Sequence, residues 1–415
     1  MDAFIARQPI FAEDLSVFAY ELLFRSSFEN TFGDADPNEA SSKVIADSSL
    51  IFDLERLVAG RRAFINMSQD ILVQQQIRIL PNRIAAVEIL ETVRPAPEVV
   101  DACRSLKDDG YLIVLDDFVY RNALQPLVDL ADIIKIDLLA SPEDEQRRTI
   151  DALANRPVRL LAEKVETQEA LEQARMMGYT LFQGYFFCRP DIVTRRDVPG
   201  FKLNYLRILQ QINRPELDFG EIETVIKQEM SLSYRLLRYL NSTHFSLRHR
   251  VESIHRALTL LGEVEIKKWA SMTALASMAE EKPDELVVRS VVRGRLCENL
   301  AATTGMAHRS QDLFLMGLFS LLDAILDRPL GEILVDLPLP DDVAAALTGR
   351  DNPIHRVFDL VQAQESADWP RVARIARNLD VDLNVLPSLY LEAVQWADQG
   401  IRHTHQGTHL EAARP

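Results

Sequence analysis

The sequence predicts an α/β chain built as a (β/α)8-type barrel followed by an all-α helical domain, and three observations carry that prediction. Over the first half, short apolar runs alternate with longer amphipathic stretches. From about Phe201 the strand-like runs stop and helical periodicity takes over. At 415 residues the chain also exceeds what one hydrophobic core usually serves. The predicted division is residues 1–195 for the barrel, 200–400 for the helical domain and 401–415 for a polar tail. The tail carries His403, His405 and His409, and its composition predicts disorder.

The strand candidates are Ala3–Arg7, Phe18–Arg25, Ala63–Met67, Ala85–Leu90, Tyr111–Phe118, Ile133–Asp137, Arg159–Val165 and Leu181–Phe187. Between them lie helical stretches at Glu39–Leu57, Glu98–Asp108, Pro142–Ala154 and Gln168–Met177, with turn glycines at Gly110 and Gly178. Eight strands separated by helices fit a barrel better than a sandwich. Fewer than 200 residues is short against the roughly 250 usual for that fold, so compact loops or an imperfect barrel are expected. In the second half, helical periodicity covers Phe201–Gln211, Phe219–Glu229, Ser233–Asn241, Val251–Leu261, Val264–Ala279, Leu286–Thr303 and Gln311–Leu326. Arg189-Pro190 and Pro199-Gly200 punctuate the junction.

Composition narrows the function classes. Hydrophobic content of 47% and charged content of 26% are those of an ordinary soluble globular protein. No apolar run approaches the roughly 20 residues that span a bilayer, and the acidic opening Met1–Ile5 is not expected to act as a signal peptide. Cys103, Cys188 and Cys297 lie far apart, which argues against a disulfide framework or a zinc site. A cytoplasmic location and no membrane partner are the expectations. Net charge is −16 and the sequence shows no obvious basic face of the kind that grips DNA, so no DNA partner is expected. A small anionic ligand remains compatible, because metal ions can supply positive charge locally.

Barrel chemistry sits at the C-terminal ends of the strands. Reading those ends in order gives Glu21, Asn66, Glu88, Asp116 with Asp117, Lys135, Glu163 and Gln183. Carboxylates buried on strands are costly unless paired or metal-bound, and chance solvated ends explain the series poorly. The first half contains no histidine, so a metal there would be held by carboxylates and an amide. That donor set suits a hard ion, Mg2+ or Mn2+. Two such ions sharing a carboxylate can activate water and neutralise a phosphodiester, and Lys135 could orient that water.

The same residues carry a family likeness. The first half resembles the EAL domain, the cyclic di-GMP phosphodiesterase fold. The matching segments are Arg7-Gln8-Pro9-Ile10, Glu21-Leu22-Leu23-Phe24-Arg25, Ile65-Asn66-Met67-Ser68, Val87-Glu88-Ile89-Leu90-Glu91, Leu115-Asp116-Asp117-Phe118, Lys135-Ile136-Asp137, Ala162-Glu163-Lys164-Val165-Glu166-Thr167 and Phe182-Gln183-Gly184-Tyr185. The resemblance implies metal ligation by Glu21, Asn66, Glu88, Asp116, Asp117 and Glu163. It makes Lys135 and Glu163 catalytic, sets Arg25 on substrate phosphate and Gln183 along the site, and gives Glu91 and Glu166 a bracing role. It also implies an antiparallel first strand. Two departures stand out: Leu22 replaces the alanine of E-A-L, and Val119-Tyr120-Arg121-Asn122-Ala123-Leu124 replaces a glycine loop that follows D-D-F in active members. Losing both glycines removes backbone freedom where that loop must re-form.

The second half resembles the HDOD domain through Leu236-Leu237-Arg238-Tyr239-Leu240-Asn241-Ser242, Ile254–Gly262 and Gly317–Asp323. Catalytic relatives of that fold carry an adjacent His-Asp metal pair where this chain has Ser320-Leu321, with Asp323 offset. A non-catalytic domain is expected, and His255 reads as a packing residue of its helix. Together the likenesses imply a bacterial cyclic di-GMP signalling protein with an unidentified protein partner for the helical domain. Barrels of this family often dimerise beside the replaced loop, so the resemblance implies a homodimer surface at the very residues this chain has changed. Three readings stay open: metal-dependent hydrolysis of cyclic di-GMP, binding without cleavage, and a protein-interaction adaptor.

Overall fold

Eight strands close a barrel in chain order. They are β1 (Phe4–Ala12), β2 (Val17–Arg25), β3 (Arg62–Met67), β4 (Ala85–Ile89), β5 (Ile113–Leu115), β6 (Ile133–Asp137), β7 (Arg159–Glu163) and β8 (Leu181–Phe182). In this computed structural model, residues 4–25, 50–189, 199–214, 219–241, 251, 253–335 and 337–405 are described. Strand β1 runs antiparallel to both β2 and β8, and every other pair is parallel, as the family likeness implies. The β1–β2 hairpin turns where Asp14 accepts from the Ser16 backbone N–H at 3.0 Å and its hydroxyl at 2.6 Å.

Two strands are shorter than the apolar runs suggest. The run Tyr111–Phe118 yields only Ile113–Leu115, because the chain turns out of the ladder at Asp117, whose φ is +41°. The run Leu181–Phe187 stops at Phe182. Gly184 follows with φ +155°, and a Cβ there would lie 2.0 Å from the Val165 carbonyl oxygen. Only glycine permits that approach of two loops.

The helices between strands follow the predicted stretches: Pro97–Asp108, Glu143–Leu153 and Gln168–Met176. Gly110 and Gly178 end two of them at φ +87° and +95°, and Thr167 caps the last by accepting from the Ala170 N–H at 3.1 Å. Of the stretch Glu39–Leu57, Leu50–Leu57 is helical and the part before residue 50 lies outside the described residues.

Inside the barrel, Ile10, Ala19, Phe64, Ala86, Val114, Ile133, Leu161 and Leu181 form one buried apolar layer, with one residue from each strand. Large Phe64 beside small Ala19 and Ala86 fills the barrel interior at this level. This layer is the floor on which the site stands.

The helical part includes Gly200–Ile212, Phe219–Gln228, Met230–Leu240, Ile254–Met278, Asp284–Thr303 and Ser310–Phe319. The two helices predicted at Val251–Leu261 and Val264–Ala279 meet at Gly262, where φ +76° and ψ 167° break the turn. Ile208, Ile212, Ile222, Ile226, Leu236, Leu258 and Trp269 belong to the core of this part. Asp284–Thr303 and Ser310–Phe319 touch backbone to backbone, since a Cβ on Gly317 would sit 2.5 Å from the Arg293 carbonyl. The stretch Gln311–Leu326 is interrupted between Phe319 and Leu322.

The chain forms two compact units. One combines Met1–Phe187 with Gln362–Arg377 and Asp382–Leu391; the other holds Cys188–Val361, Asn378–Val381 and Glu392–Pro415. The helical stretch read as a single span over 200–400 is therefore shared between them. Within the barrel unit, Gln364 donates to the Ile5 carbonyl at 2.8 Å. Helix Leu386–His405 carries regular structure into the 401–415 tail, and His409 lies outside the described residues. No helix among the described residues is long and apolar enough to cross a membrane.

Candidate functional site

Strand periodicity builds the site. Side chains two residues apart share a face, so each member of the apolar layer is followed toward the barrel mouth by one polar residue. Ala19 is followed by Glu21, Phe64 by Asn66, Ala86 by Glu88, Val114 by Asp116, Ile133 by Lys135, Leu161 by Glu163 and Leu181 by Gln183. Reversed β1 obeys the same rule backwards, placing Gln8 above Ile10 and opposite Glu21 in register. The polar positions read from the strand ends are thus one continuous layer.

Lys135 stands at its centre. Its side chain is 1% exposed, and its Nζ lies 3.2 Å from Glu21 Oε2, 2.9 Å from Asp116 Oδ1 and 2.9 Å from Glu163 Oε1, and also pairs closely with Glu88. Gln183 donates to Glu21 at 2.6 Å and to Gln8 at 3.2 Å, and Asn66 donates to Glu21 at 3.4 Å. One ammonium therefore faces four carboxyl groups. Burial alone would lower the Lys135 pKa, but Glu21, Glu88, Glu163 and Asp116 outweigh it and hold the ammonium well above its ordinary range. Burial, reinforced by Glu21, pushes Glu88 well above the usual carboxylate range, and burial pushes Glu163 up to about 8. Glu21 is also desolvated, yet Lys135 and the Gln183 amide keep it below its ordinary value.

Several oxygens in this layer have no hydrogen-bond partner among the described residues: Asn66 Oδ1, Glu88 Oε2, Glu163 Oε2 and Gln183 Oε1. Leaving such atoms buried and unmatched costs about 1–3 kcal/mol each. A hard divalent cation with oxygen ligands answers both that deficit and the excess of negative charge. The residues present fit such an ion.

A second acidic group adjoins the first. Glu91, Asp116 and Asp117 bring carboxylate oxygens within 4.8 Å of one another, and burial together with Asp116 raises the Asp117 pKa. These three line a pocket of about 360 Å3 with Arg94 and Arg121. The positive φ of Asp117 turns its side chain away from the strand direction, and Lys164, at φ +54°, makes the same kind of turn after Glu163. Lys164 pairs closely with the buried carboxylate of Asp137, whose Oδ1 accepts the Leu139 and Ala140 N–H groups at 2.7 and 2.9 Å.

Among the predicted positions whose side chains are described, Glu166 stands apart from the layer. It lines a different groove of about 1220 Å3, together with Lys164, Arg147 and Met177. Arg25 ends β2, and its side chain lies outside the described residues. Gln8, Asp137 and Lys164 are site-adjacent residues that the strand-end reading missed. All three fall inside the quoted motif segments, and Gln8 was hidden because β1 runs in the opposite direction. The segment Val119–Leu124 is fixed: Tyr120 donates to Gln125 at 3.0 Å and meets the Phe118 ring edge-on at 6.4 Å, while Gln125 donates to Asp129 at 2.7 Å.

In the helical unit, Ser320 accepts from Arg293 at 3.1 Å and donates to the Gly317 carbonyl at 2.7 Å, while burial raises the Asp323 pKa. His255 corrects the packing expectation. Ile254, Ala257 and Leu258 hold the buried face of its helix, so His255 is 76% exposed and pairs with Glu223 at 2.9 Å.

A barrel with a reversed first strand and an acidic layer around a central lysine defines an EAL-type domain, and the EAL domain family matches residues 46–190. The HDOD domain family matches residues 198–327. The chain belongs to the family of proteins that join an EAL domain to an HDOD domain. One relative is the uncharacterized protein YuxH of Bacillus subtilis (strain 168), 35% identical over 404 residues, covering 95% of this chain and 98% of that protein. Another is the cyclic di-GMP phosphodiesterase CdgJ of Vibrio cholerae, 35% identical over 399 residues, covering 95% of this chain and 92% of that protein. Among solved structures, an EAL domain protein from Listeria monocytogenes EGD-e is 22% identical, covers 45% of this chain and 87% of that chain, and has a TM-score of 0.37.

Proposed function

We propose that this chain is a divalent-metal-dependent phosphodiesterase that opens cyclic di-GMP to the linear dinucleotide. The observation that carries the reading is the buried layer of Glu21, Glu88, Asp116 and Glu163 around Lys135, with oxygens left unmatched at the barrel mouth. The 35% identity to a cyclic di-GMP phosphodiesterase over nearly the whole chain supports the substrate class.

In this reading Glu21, Asn66, Glu88, Asp116, Asp117 and Glu163 hold two ions, Mg2+ or Mn2+. Such ions supply Lewis-acid activation of water and neutralise phosphodiester charge. Lys135 offers a preorganised ammonium that orients the attacking water and stabilises charge developing on phosphoryl oxygens. Glu163, 2.9 Å from that ammonium, is the neighbouring acid–base group. Gln183 fixes Glu21 by hydrogen bonding, Arg25 contacts a substrate phosphate, and Glu91 and Glu166 brace the loops. The helical domain is a non-catalytic regulatory module that binds a protein partner. The working location is the cytoplasm.

The test is hydrolysis of cyclic di-GMP by the full-length protein with Mg2+ and Mn2+ separately, beside the Glu21→Ala variant. Linear product that disappears in the variant supports the enzyme. A second reading, a receptor that binds without cleaving, is favoured by the clamped Tyr120 segment, where active relatives have a glycine loop. Nucleotide binding without product would select it, and unchanged rate and affinity in Glu21→Ala would remove the metal-site assignment.

A further inference from the structure

The pocket beside Asp116 and Asp117 holds an unresolved charge pattern. Glu91, Asp116 and Asp117 gather on its lining, and so do Arg94 and Arg121. Such neighbours would ordinarily neutralise one another. Here neither arginine side chain makes an ion pair or hydrogen bond among the described residues, although salt bridges are common elsewhere in this barrel. A lining with separate cationic and anionic parts suits a ligand that is itself anionic and is reached from the acidic side through cations.

Both arginines stand on stiffened backbone. Arg94 precedes Pro95, which confines it to extended conformations, and buried Val93 anchors the segment from the other side. Arg121 is extended at φ −140° and ψ 137°, and its carbonyl accepts from the Leu124 N–H at 2.9 Å as the short helix Asn122–Leu124 begins. The clamped Tyr120 immediately precedes it. A guanidinium carried on fixed backbone spends less freedom on binding than one on a mobile loop, and its planar donor fork matches phosphate oxygens. Both residues are exposed, so folding does not depend on them.

We propose that this pocket is a phosphate subsite contiguous with the acidic layer, in which Arg94 and Arg121 bind phosphate oxygens of the nucleotide. The proposal rests on the cyclic di-GMP reading above. The segment that replaces the glycine loop then contributes a fixed cationic wall to nucleotide binding. Two sources share this chemistry: the second phosphodiester of the intact ring, and the terminal phosphate of the opened product.

The experiment uses the full chain and its Arg94→Ala, Arg121→Ala, doubly substituted and doubly Lys-substituted variants. Calorimetry with Ca2+ measures affinity for cyclic di-GMP and, separately, for the linear dinucleotide. Each alanine change is expected to weaken binding about tenfold, with the lysine pair recovering part of the loss. Weakening toward both nucleotides assigns the intact ring's phosphate, and weakening confined to the linear form assigns the product's. Melting temperatures should match the unsubstituted protein throughout. If the unsubstituted chain binds and the double alanine variant binds equally well, the subsite is wrong while the nucleotide reading stands. If the unsubstituted chain binds neither nucleotide, both fall together.

Discussion

Replacing Lys135 by methionine tests the electrostatics of the barrel mouth directly. The side chain is 1% exposed and meets Glu21, Glu88, Asp116 and Glu163, so methionine keeps most of the volume and removes the only cation these groups share among the described residues. In a metal-free buffer the four carboxyl groups cannot all stay ionised at that spacing, and the variant must fold with extra protons bound. Protonating one carboxyl of ordinary pKa near 4.3 at a buffer pH of about 7.5 costs roughly 4 kcal/mol. That agrees with the roughly 3–5 kcal/mol found when one partner of a buried ion pair is removed. At about 2–4 °C per kcal/mol for a domain of this size, the melting temperature should fall by roughly 8–16 °C. The sign with pH is fixed. A carboxyl whose folded pKa is raised contributes stability at low pH that is lost as pH rises through the folded value. For Glu163 in the unsubstituted protein, that loss spans the interval from 4.5 to about 8. The variant should therefore lose more stability than the unsubstituted protein between pH 5 and pH 8. Mg2+ or Mn2+ should restore it, by about 2.7 kcal/mol at a hundredfold excess over Kd. Calorimetric melting in EDTA and in Mg2+ across that range is the assay. Equal melting of the two proteins in EDTA at every pH would refute the view that Lys135 neutralises this layer.

Three further outcomes follow from particular contacts. Gly184→Ala places a Cβ 2.0 Å from the Val165 carbonyl, so the β7 and β8 end loops must separate; denaturant unfolding should show a loss of at least about 1–3 kcal/mol. Lys164→Ala keeps the left-handed strain at φ +54° and loses the Asp137 pair, whereas Lys164→Gly loses the pair but relieves the strain. The glycine variant should be the more stable by roughly 1 kcal/mol in urea midpoints, and the reverse order would contradict the backbone argument. His255→Ala should leave cyclic di-GMP hydrolysis and the melting temperature unchanged, because the ring is exposed and pairs with the Glu223 carboxylate at the surface; lost turnover in a folded variant would contradict a non-catalytic helical domain.

The barrel and its polar layer were legible because strand geometry writes both into one period-two pattern. Phe64 with Asn66 and Ile133 with Lys135 are apolar then polar at the same spacing, which few other patterns produce on a buried strand. What stayed hidden depends on direction and on contacts between distant segments. Gln8 was missed because β1 is reversed, so its mouth-facing residue precedes the apolar partner. Strands β5 and β8 ended early because Asp117 and Gly184 turn out of the ladder, and hydrophobic runs do not record φ. His255 read as packing because helical periodicity identifies a helix before it fixes which face is buried. Nor does local sequence record that Gln364 reaches the Ile5 carbonyl, so the membership of Gln362–Arg377 and Asp382–Leu391 in the barrel unit was invisible.

The barrel is closed by a ladder as short as any in it. Strand β1 meets β8 through only two residue pairs, Phe11 with Phe182 and Ala12 with Leu181. The rest of that seam is fastened by side chains: Phe11 meets Phe186 and Phe187 edge-on at 5.5 and 4.8 Å, and Gln183 reaches across to Gln8 and Glu21. Occupancy of the mouth and closure of the cylinder are therefore mechanically linked, because Glu21 and Gln183 serve both. A ligand that immobilises Glu21 also tightens the clasp between the first and last strands. Slowed amide exchange along Phe11–Ala12 and Leu181–Gln183 would then report an event at the mouth, well before any product has formed.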